Sequence, residues 1–270
     1  MILHVMNVVA AAAQEGAKQG GEGAGFILEE VSDHVIWHLP TVWGIDFSIT
    51  KHVLMMWIAS AILMLMFGLT FRKIKLVPRG LANGLEAIVV FLREDIILPY
   101  LKPKDVALFS PYILSVFFFI LTCNLLGLFP GGATATSNIS VTGALAMLTF
   151  FIGQGALFIR KGPVGYIRQF IPPGIPGFVV PILFIAELMG LFTRHFALAI
   201  RLFANMIADH LVAGTIIGLI IIFKSYIISP ASILMAVAAE LLAVLIAFIQ
   251  AYIFAMLSSV FIGLGLEDEH

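Results

Sequence analysis

Apolar residues fall along this chain in long unbroken runs separated by short polar punctuation, with little of the alternation expected of half-buried strands. A helix needs about twenty apolar residues to cross a bilayer. The first run that meets this need is "HVLMMWIASAILMLMFGLTF", residues 52–71, followed at once by "RKIK" and then Arg79. The second, Ala107 to Phe129, ends in "PGGATATSNIS", a loop built from Gly, Ser, Thr and Asn. The third, Val141 to Ile159, is closed by Arg160 and Lys161 and then by the Pro-rich linker "GPVGYIRQFIPPGIPG". The fourth runs from Pro181 to Phe223, and the fifth from about Ala231 to Gly263.

A different pattern lies between the first two runs, in "RGLANGLEAIVVFLREDIILPYLKPKD". Leu81, Leu85, Ile88, Leu92 and Ile96 recur at helical spacing, and Asn83, Glu86, Arg93 and Glu94 sit elsewhere on the wheel. That spacing predicts an amphipathic helix lying on the membrane surface. A polar-faced helix packed on its own protein has a similar sequence. The fourth run is longer than one upright crossing needs. At about 1.5 Å per residue it would be near 60 Å long, against a hydrocarbon core of about 30 Å. A hairpin would need a turn, and none of the usual turn dipeptides occurs between Arg194 and Gly214. The expected architecture is an all-α polytopic membrane protein with five transmembrane helices plus one amphipathic surface helix. The last two helices are expected to be long and steeply tilted.

Composition sharpens this picture. Of 270 residues, 61% are hydrophobic and 11% charged, and the mean hydropathy is +1.07. A soluble domain would carry about twice that charge. The net charge of −1 and the lack of a basic tail leave no electrostatic footprint for nucleic acid. Cys123 is the single cysteine, so an internal disulfide and a Cys-based metal site are excluded. The opening "MILHVMNVVAAAA" has the length and small-residue end of a cleavable signal but no Lys or Arg at its start, so an extended tail is the competing reading. Residues 1–50 are expected as an outer, periplasmic segment and residues 51–270 as the membrane domain. Lys and Arg gather in the loops after the first and third spans and in the surface helix, which puts the N-terminus outside and the C-terminus in the cytoplasm.

Charge inside the fourth run raises the functional question. "FALAIRLFANMIADH", residues 196–210, carries Arg201, Asn205 and Asp209 at spacings of four, drifting slowly around one stripe. A charge at bilayer depth costs roughly 2.5–3.5 kcal/mol on insertion scales. Glu187 lies nearly four full turns before Arg201 and returns to its face; Arg194 and His195 lie about two turns before it. His210 falls on the opposite side of the helix from Arg201. Glu240 and Gln250 are the polar insertions of the fifth run. Arginine stays charged in proteins, so Arg201 is a fixed cation and a poor relay. His210, Glu240 and Asp209 can take up and release protons. The set reads as a proton path with a barrier in it. Blander readings stand beside this one. Arg201 could be a structural partner of Glu187 or Asp209, His210 a packing histidine, Asp209 a local pair, and Asn124 and Gln250 interhelical hydrogen-bond glue. His4, His34, His38, His52 and His270 have no ligand spacing and are treated as bystanders.

The block "RLFANMIADH", with "AELMGLFTRHFALAI" before it and "IQAYIFAMLSSVFIGLGLEDEH" closing the chain, resembles subunit a of F-type ATP synthases. The resemblance covers nearly all of the chain after residue 50. It implies the stator subunit of an Fo motor, in a bacterial inner membrane, whose two long helices wrap against a ring of c subunits. Two half-channels would carry protons to and from the ring carboxylates, with the b subunits of the peripheral stalk and the remaining F1Fo complex as further partners. The family's essential arginine corresponds to Arg201, which lies between the half-channels. Asn205 matches the family's asparagine one turn on, His210 a channel position, Glu187 the acidic residue of the inner channel, and Gln250 the last-helix glutamine. Asn124 resembles the asparagine near the outer end of the first hairpin helix. Many members place His or Glu seven residues before the glutamine; here that position is Ala243, and Glu240 comes one turn earlier. Glu240 is expected to serve from nearly the same face. No Gly-rich Lys-Ser/Thr nucleotide loop occurs, so ATP chemistry is expected on other subunits, with no cofactor or metal here. The alternative class is a stand-alone ion channel or secondary transporter, which would favour internal repeats or Gly/Pro-broken spans. A membrane anchor for a redox complex would want paired histidines across spans.

Overall fold

The structure is a computed structural model, and it describes residues 35–38, 48–72, 80–129, 134–168, 170, 178–223 and 229–266. The opening segment that raised the signal question lies outside the described residues, as do the linkers 73–79, 171–177 and 224–228. Among the described residues the chain runs through β1 (Val35–Trp37), β2 (Ile49–Thr50), α1 (Lys51–Thr70), α2 (Leu81–Leu92), α3 (Pro103–Gly127), α4 (Ile139–Arg168), α5 (Val180–Phe223) and α6 (Ser229–Leu266). A π-helical turn, Arg93–Ile97, extends α2, and a 3-10 turn, Ala135–Ser137, precedes α4. Among the described residues, five helices are long and apolar enough to cross a membrane, as the runs predict. The antiparallel pairing of Val35 with Thr50 and Trp37 with Ile49 was not expected from the mixed composition there.

Local chemistry sets the boundaries. The Thr50 side chain caps α1 by accepting from the Val53 amide, satisfying one of the donors a helix start leaves open. Pro103 opens α3, where its missing N–H costs nothing. The third span overruns its expected end at Ile159 and breaks at Gly162, whose φ of +69° suits glycine. Pro163 then starts the next turn. The fourth run is one unbroken helix of 44 residues, and α6 has 38. At about 1.5 Å per residue the two are near 66 and 57 Å long. Both are longer than an upright crossing of a core of about 30 Å needs.

The core gathers around α3. Ile113, Phe117 and Ile120 of α3 meet Leu198 and Leu202 of α5 and Phe254 and Ile262 of α6 in one buried cluster. The inner face of α6 is built from Ala243, Ala247, Ala251, Ala255, Ser258 and Ser259, all buried. Small residues at this spacing let helix backbones approach closely in a membrane, where hydrophobic driving force between helices is absent. The α2 region supplies the other wall. Leu85 and Leu92 are buried as the amphipathic pattern predicts, but Leu81 is 81% exposed. Ile96 and Ile97 are both fully buried, because the π-helical turn carries two adjacent side chains inward. That widened turn also offers the Ile96 carbonyl to Ser259 Oγ at 2.8 Å. Gly263 packs so closely on the Tyr100 carbonyl that a Cβ there would collide with it. Asp105 of α3 and Arg160 of α4 form an ion pair, one guanidinium nitrogen reaching both carboxylate oxygens at 3.1 and 3.0 Å. Together these contacts tie α2, α3 and α4 to one another and to the packed face of α6.

Candidate functional site

The two long helices each present two faces. On α5, Leu198, Leu202 and Met206 turn into the bundle, while Glu187, Arg194 and Arg201 are exposed. These three charges are seven residues apart, about two turns less 20°, so they form a line along one side of the helix. Large apolar residues flank them: Ile185, Met189, Phe192 and Phe196 on α5, and Leu241, Leu242, Leu245 and Ile249 on α6 are all exposed. Arg201 is therefore set in a hydrophobic outer surface, while Glu187 and Arg194 also line a polar cavity beside α4. Arg201 makes no hydrogen bond or ion pair with any described residue. Pairing with Glu187 or Asp209, the structural reading of this arginine, is not what the geometry gives.

One turn beyond Arg201, Asn205 Nδ2 donates to Gln250 Oε1 at 2.8 Å. Gln250 is 2% exposed, so this bond joins α5 to α6 inside the interface and fixes their register beside the arginine. The glue reading of Gln250 holds in this sense, and it brings two of the expected site residues together. Asp209 follows a further turn on. Its Oδ2 is buried with no hydrogen-bond partner among the described residues, and Glu240 of α6 is near enough to act on it electrostatically. Ala243 is buried against the bundle, whereas Glu240 is exposed. One helical turn short of complete leaves the two positions about 60° apart. Glu240 thus sits on the flank of the α5–α6 pair. The side chain of His210 lies outside the described residues.

Asn124 occupies a second polar locus. It is 1% exposed; its Oδ1 accepts from Thr136 Oγ1 at 2.6 Å, and its Nδ2 is buried without an acceptor among the described residues. The 3-10 turn that holds Thr136 packs against α5, which links this locus to the long helices. His52, expected to be a bystander, is 3% exposed and bonds Ser137 Oγ at 3.2 Å. Its place in the first turn of an apolar span was the available signal. His195 is the other residue that sequence reasoning left without a role. It is 7% exposed and lies on the wall of a cavity with Glu187, Arg194, Gln154 and Lys161. No three His, Cys, Asp or Glu side chains among the described residues converge as metal ligands would.

Five candidate spans among the described residues, with a line of charge along α5, define a helical membrane protein. A family model described as ATP synthase A chain matches residues 53–263, and the chain belongs to that family. It is similar to ATP synthase subunit a of an Anaeromyxobacter species, with 49% identity over 240 residues, 86% of this chain and 59% of the relative. Subunit a of Chloroherpeton thalassium is 44% identical over 243 residues, 86% of this chain and 71% of the relative. Subunit a of Anaeromyxobacter dehalogenans is 41% identical over 296 residues, 97% of this chain and 77% of the relative. The chain thus spans 59% of the length of the first of these relatives.

Proposed function

We propose that this chain is the stator subunit of the Fo motor of an F-type ATP synthase, carrying protons to and from a ring of c subunits through two half-channels. The observation that carries the reading is Arg201, a permanent cation on the apolar outer face of α5 with no partner in its own described structure. Such a charge is costly in the bilayer unless an opposite charge meets it. A carboxylate on a neighbouring ring of helices supplies that charge, and supplies it only when it passes.

The chemistry follows from the sites on either side. A protonated ring carboxyl approaching Arg201 gives up its proton toward the end of α5 that carries Glu187 and Arg194. The carboxylate then pairs with Arg201, and as rotation draws it away it is reprotonated from the end that carries Asp209, His210 and Glu240. Asp209 and Glu240 together offer oxygens that can hold a proton between two helices. The buried amide of Asn124 marks a place where the outer path can be hydrated, since a buried donor without an acceptor costs about 1–3 kcal/mol and water can serve it. Arg201 itself never carries the proton. Its fixed charge repels a proton attempting to cross directly, as pore-lining cations do elsewhere. The Asn205–Gln250 bond holds the arginine's helix in register. The b subunits, the rest of the F1Fo complex and a bacterial inner membrane, with the N-terminus outside, complete this reading.

ATP-driven acidification of inverted membrane vesicles tests it. Arg201→Ala should reduce pumping to background while the complex remains assembled. Pumping at the wild-type rate in that variant would overturn the proposal.

A further inference from the structure

The cavity at the Lys161 end of α4 is an open cleft lined by α4, α5 and α6, with a volume of about 270 Å³. Its charged groups are Glu187 and Arg194 from α5 and Lys161 from α4; Gln154 adds an amide, and α6 contributes Phe261. His195 lies on this wall and is held there in one orientation. Its Nδ1 is 3.0 Å from the Leu191 carbonyl oxygen. A carbonyl only accepts, so Nδ1 carries the proton of the neutral ring and Nε2 is left with a free lone pair. Phe150 meets the imidazole edge-on at 5.1 Å, and Phe261 lies against it at 4.8 Å. The ring therefore has one fixed nitrogen and one available nitrogen, which is the arrangement a proton carrier needs. Six residues, about 9 Å along the axis, separate His195 from Arg201. Glu187 stands eight residues the other way.

We propose that His195 is a proton-transfer residue of the inner half-channel, receiving on Nε2 the proton released beside Arg201 and passing it to water in the Glu187-lined cavity. In the direction of synthesis a ring carboxyl O–H breaks, its proton crosses about 9 Å and about 120° of helix surface to His195 along bridging water, and an Nε2–H bond forms, giving an imidazolium that keeps its Nδ1–H bond to Leu191. The Nε2–H bond then breaks toward cavity water, and the neutral ring is restored. ATP-driven pumping runs the same two transfers in reverse. This rests on the stator reading above. It adds a titratable group between Glu187 and Arg201, where a water chain alone would otherwise have to serve.

The test is ATP-driven acidification by the assembled complex in inverted vesicles, comparing wild type, His195→Ala, His195→Asn and Arg201→Ala. His195→Asn keeps a donor for the Leu191 carbonyl but cannot become a cation. Both His195 variants should assemble and pump about 10²-fold more slowly, the low end of what a positioned acid–base group supplies. Added imidazole should restore His195→Ala, with a rate that follows the concentration of the protonated buffer, and should leave Arg201→Ala inactive. Wild-type pumping in either His195 variant overturns the proposal. So does slow pumping in His195→Ala that imidazole does not raise, or failure of both variants to assemble, since each marks a packing role. Survival of pumping in Arg201→Ala is a separate outcome that removes the stator reading itself.

Discussion

Arg160 and Arg201 are two arginines in apolar helices of one chain, and the fold treats them oppositely. Arg160 reaches both oxygens of Asp105 across the α3–α4 junction, with the two side chains 26% and 11% exposed. Arg201 sits on the outer face of α5 with no described partner. The first charge is completed by its own chain and ties two helices of the scaffold. The second has no opposite charge paired with it among the described residues. On the stator reading proposed above, the two arginines differ in where their carboxylate comes from.

That contrast is broken most severely at Arg201. On the stator reading, Arg201→Ala should abolish pumping and also raise the passive proton conductance of the assembled complex, because it removes the proposed barrier between the half-channels; a fluorescence assay of leak in the same vesicles reads both. The scaffold arginine should behave differently. Arg160→Ala leaves the Asp105 carboxylate unpaired near the surface of the bundle. Fully buried pairs lose about 3–5 kcal/mol when broken, but partial exposure reduces this, to about 1–2 kcal/mol here. The expected result is a lower thermal midpoint and a lower level of assembled subunit, with pumping per assembled complex unchanged. Asp105→Asn should mimic it.

A subtler variant separates glue from mechanism at the α5–α6 interface. Asn205→Leu leaves Gln250 Oε1 buried without a donor, a loss of about 1–3 kcal/mol. Replacing both, Asn205→Leu with Gln250→Leu, removes the unsatisfied group and should recover most of the stability. If the pair only joins helices, pumping recovers with it. The stator reading expects pumping to stay several-fold reduced, because the polar step beside Arg201 has been replaced by hydrocarbon.

The sequence carried the spans and the main charge because both are one-dimensional signals. An apolar run of sufficient length has only one use in a membrane, and Arg201 stands out by its cost. The unbroken α5 was legible for a related reason: no turn residues interrupt it between Arg194 and Gly214. What escaped are features made by distant segments. The amide pair Asn205–Gln250 joins positions 45 residues apart. His195 acquires its setting from Phe150 and Phe261, on two other helices. His52 looked solitary until Ser137 folded onto it. The π-helical turn at Arg93–Ile97 adds a residue to a helical turn, and the regular spacing of Leu85, Leu92 and Ile96 conceals that Ile97 is buried as well. The offset of Glu240 from Ala243 has the same origin: one turn along a helix is close in sequence, yet it separates an exposed flank from a packed interior.

On the stator reading Arg201 meets a carboxylate on another chain, and disulfide trapping can show whether its face of α5 lies against that chain. Ala208 is exposed and lies two turns from Arg201 on nearly the same side of α5, whereas Ala247 of α6 is 1% exposed and faces the bundle. The native Cys123 is buried and does not compete. With a cysteine placed one turn from the ring carboxylate in the c subunit, Ala208→Cys should form a cross-link in assembled membranes and stop rotation, and Ala247→Cys should not. A cross-link from Ala247→Cys with none from Ala208→Cys would mean that the charged face of α5 is turned away from the ring and that Arg201 does not meet its carboxylates.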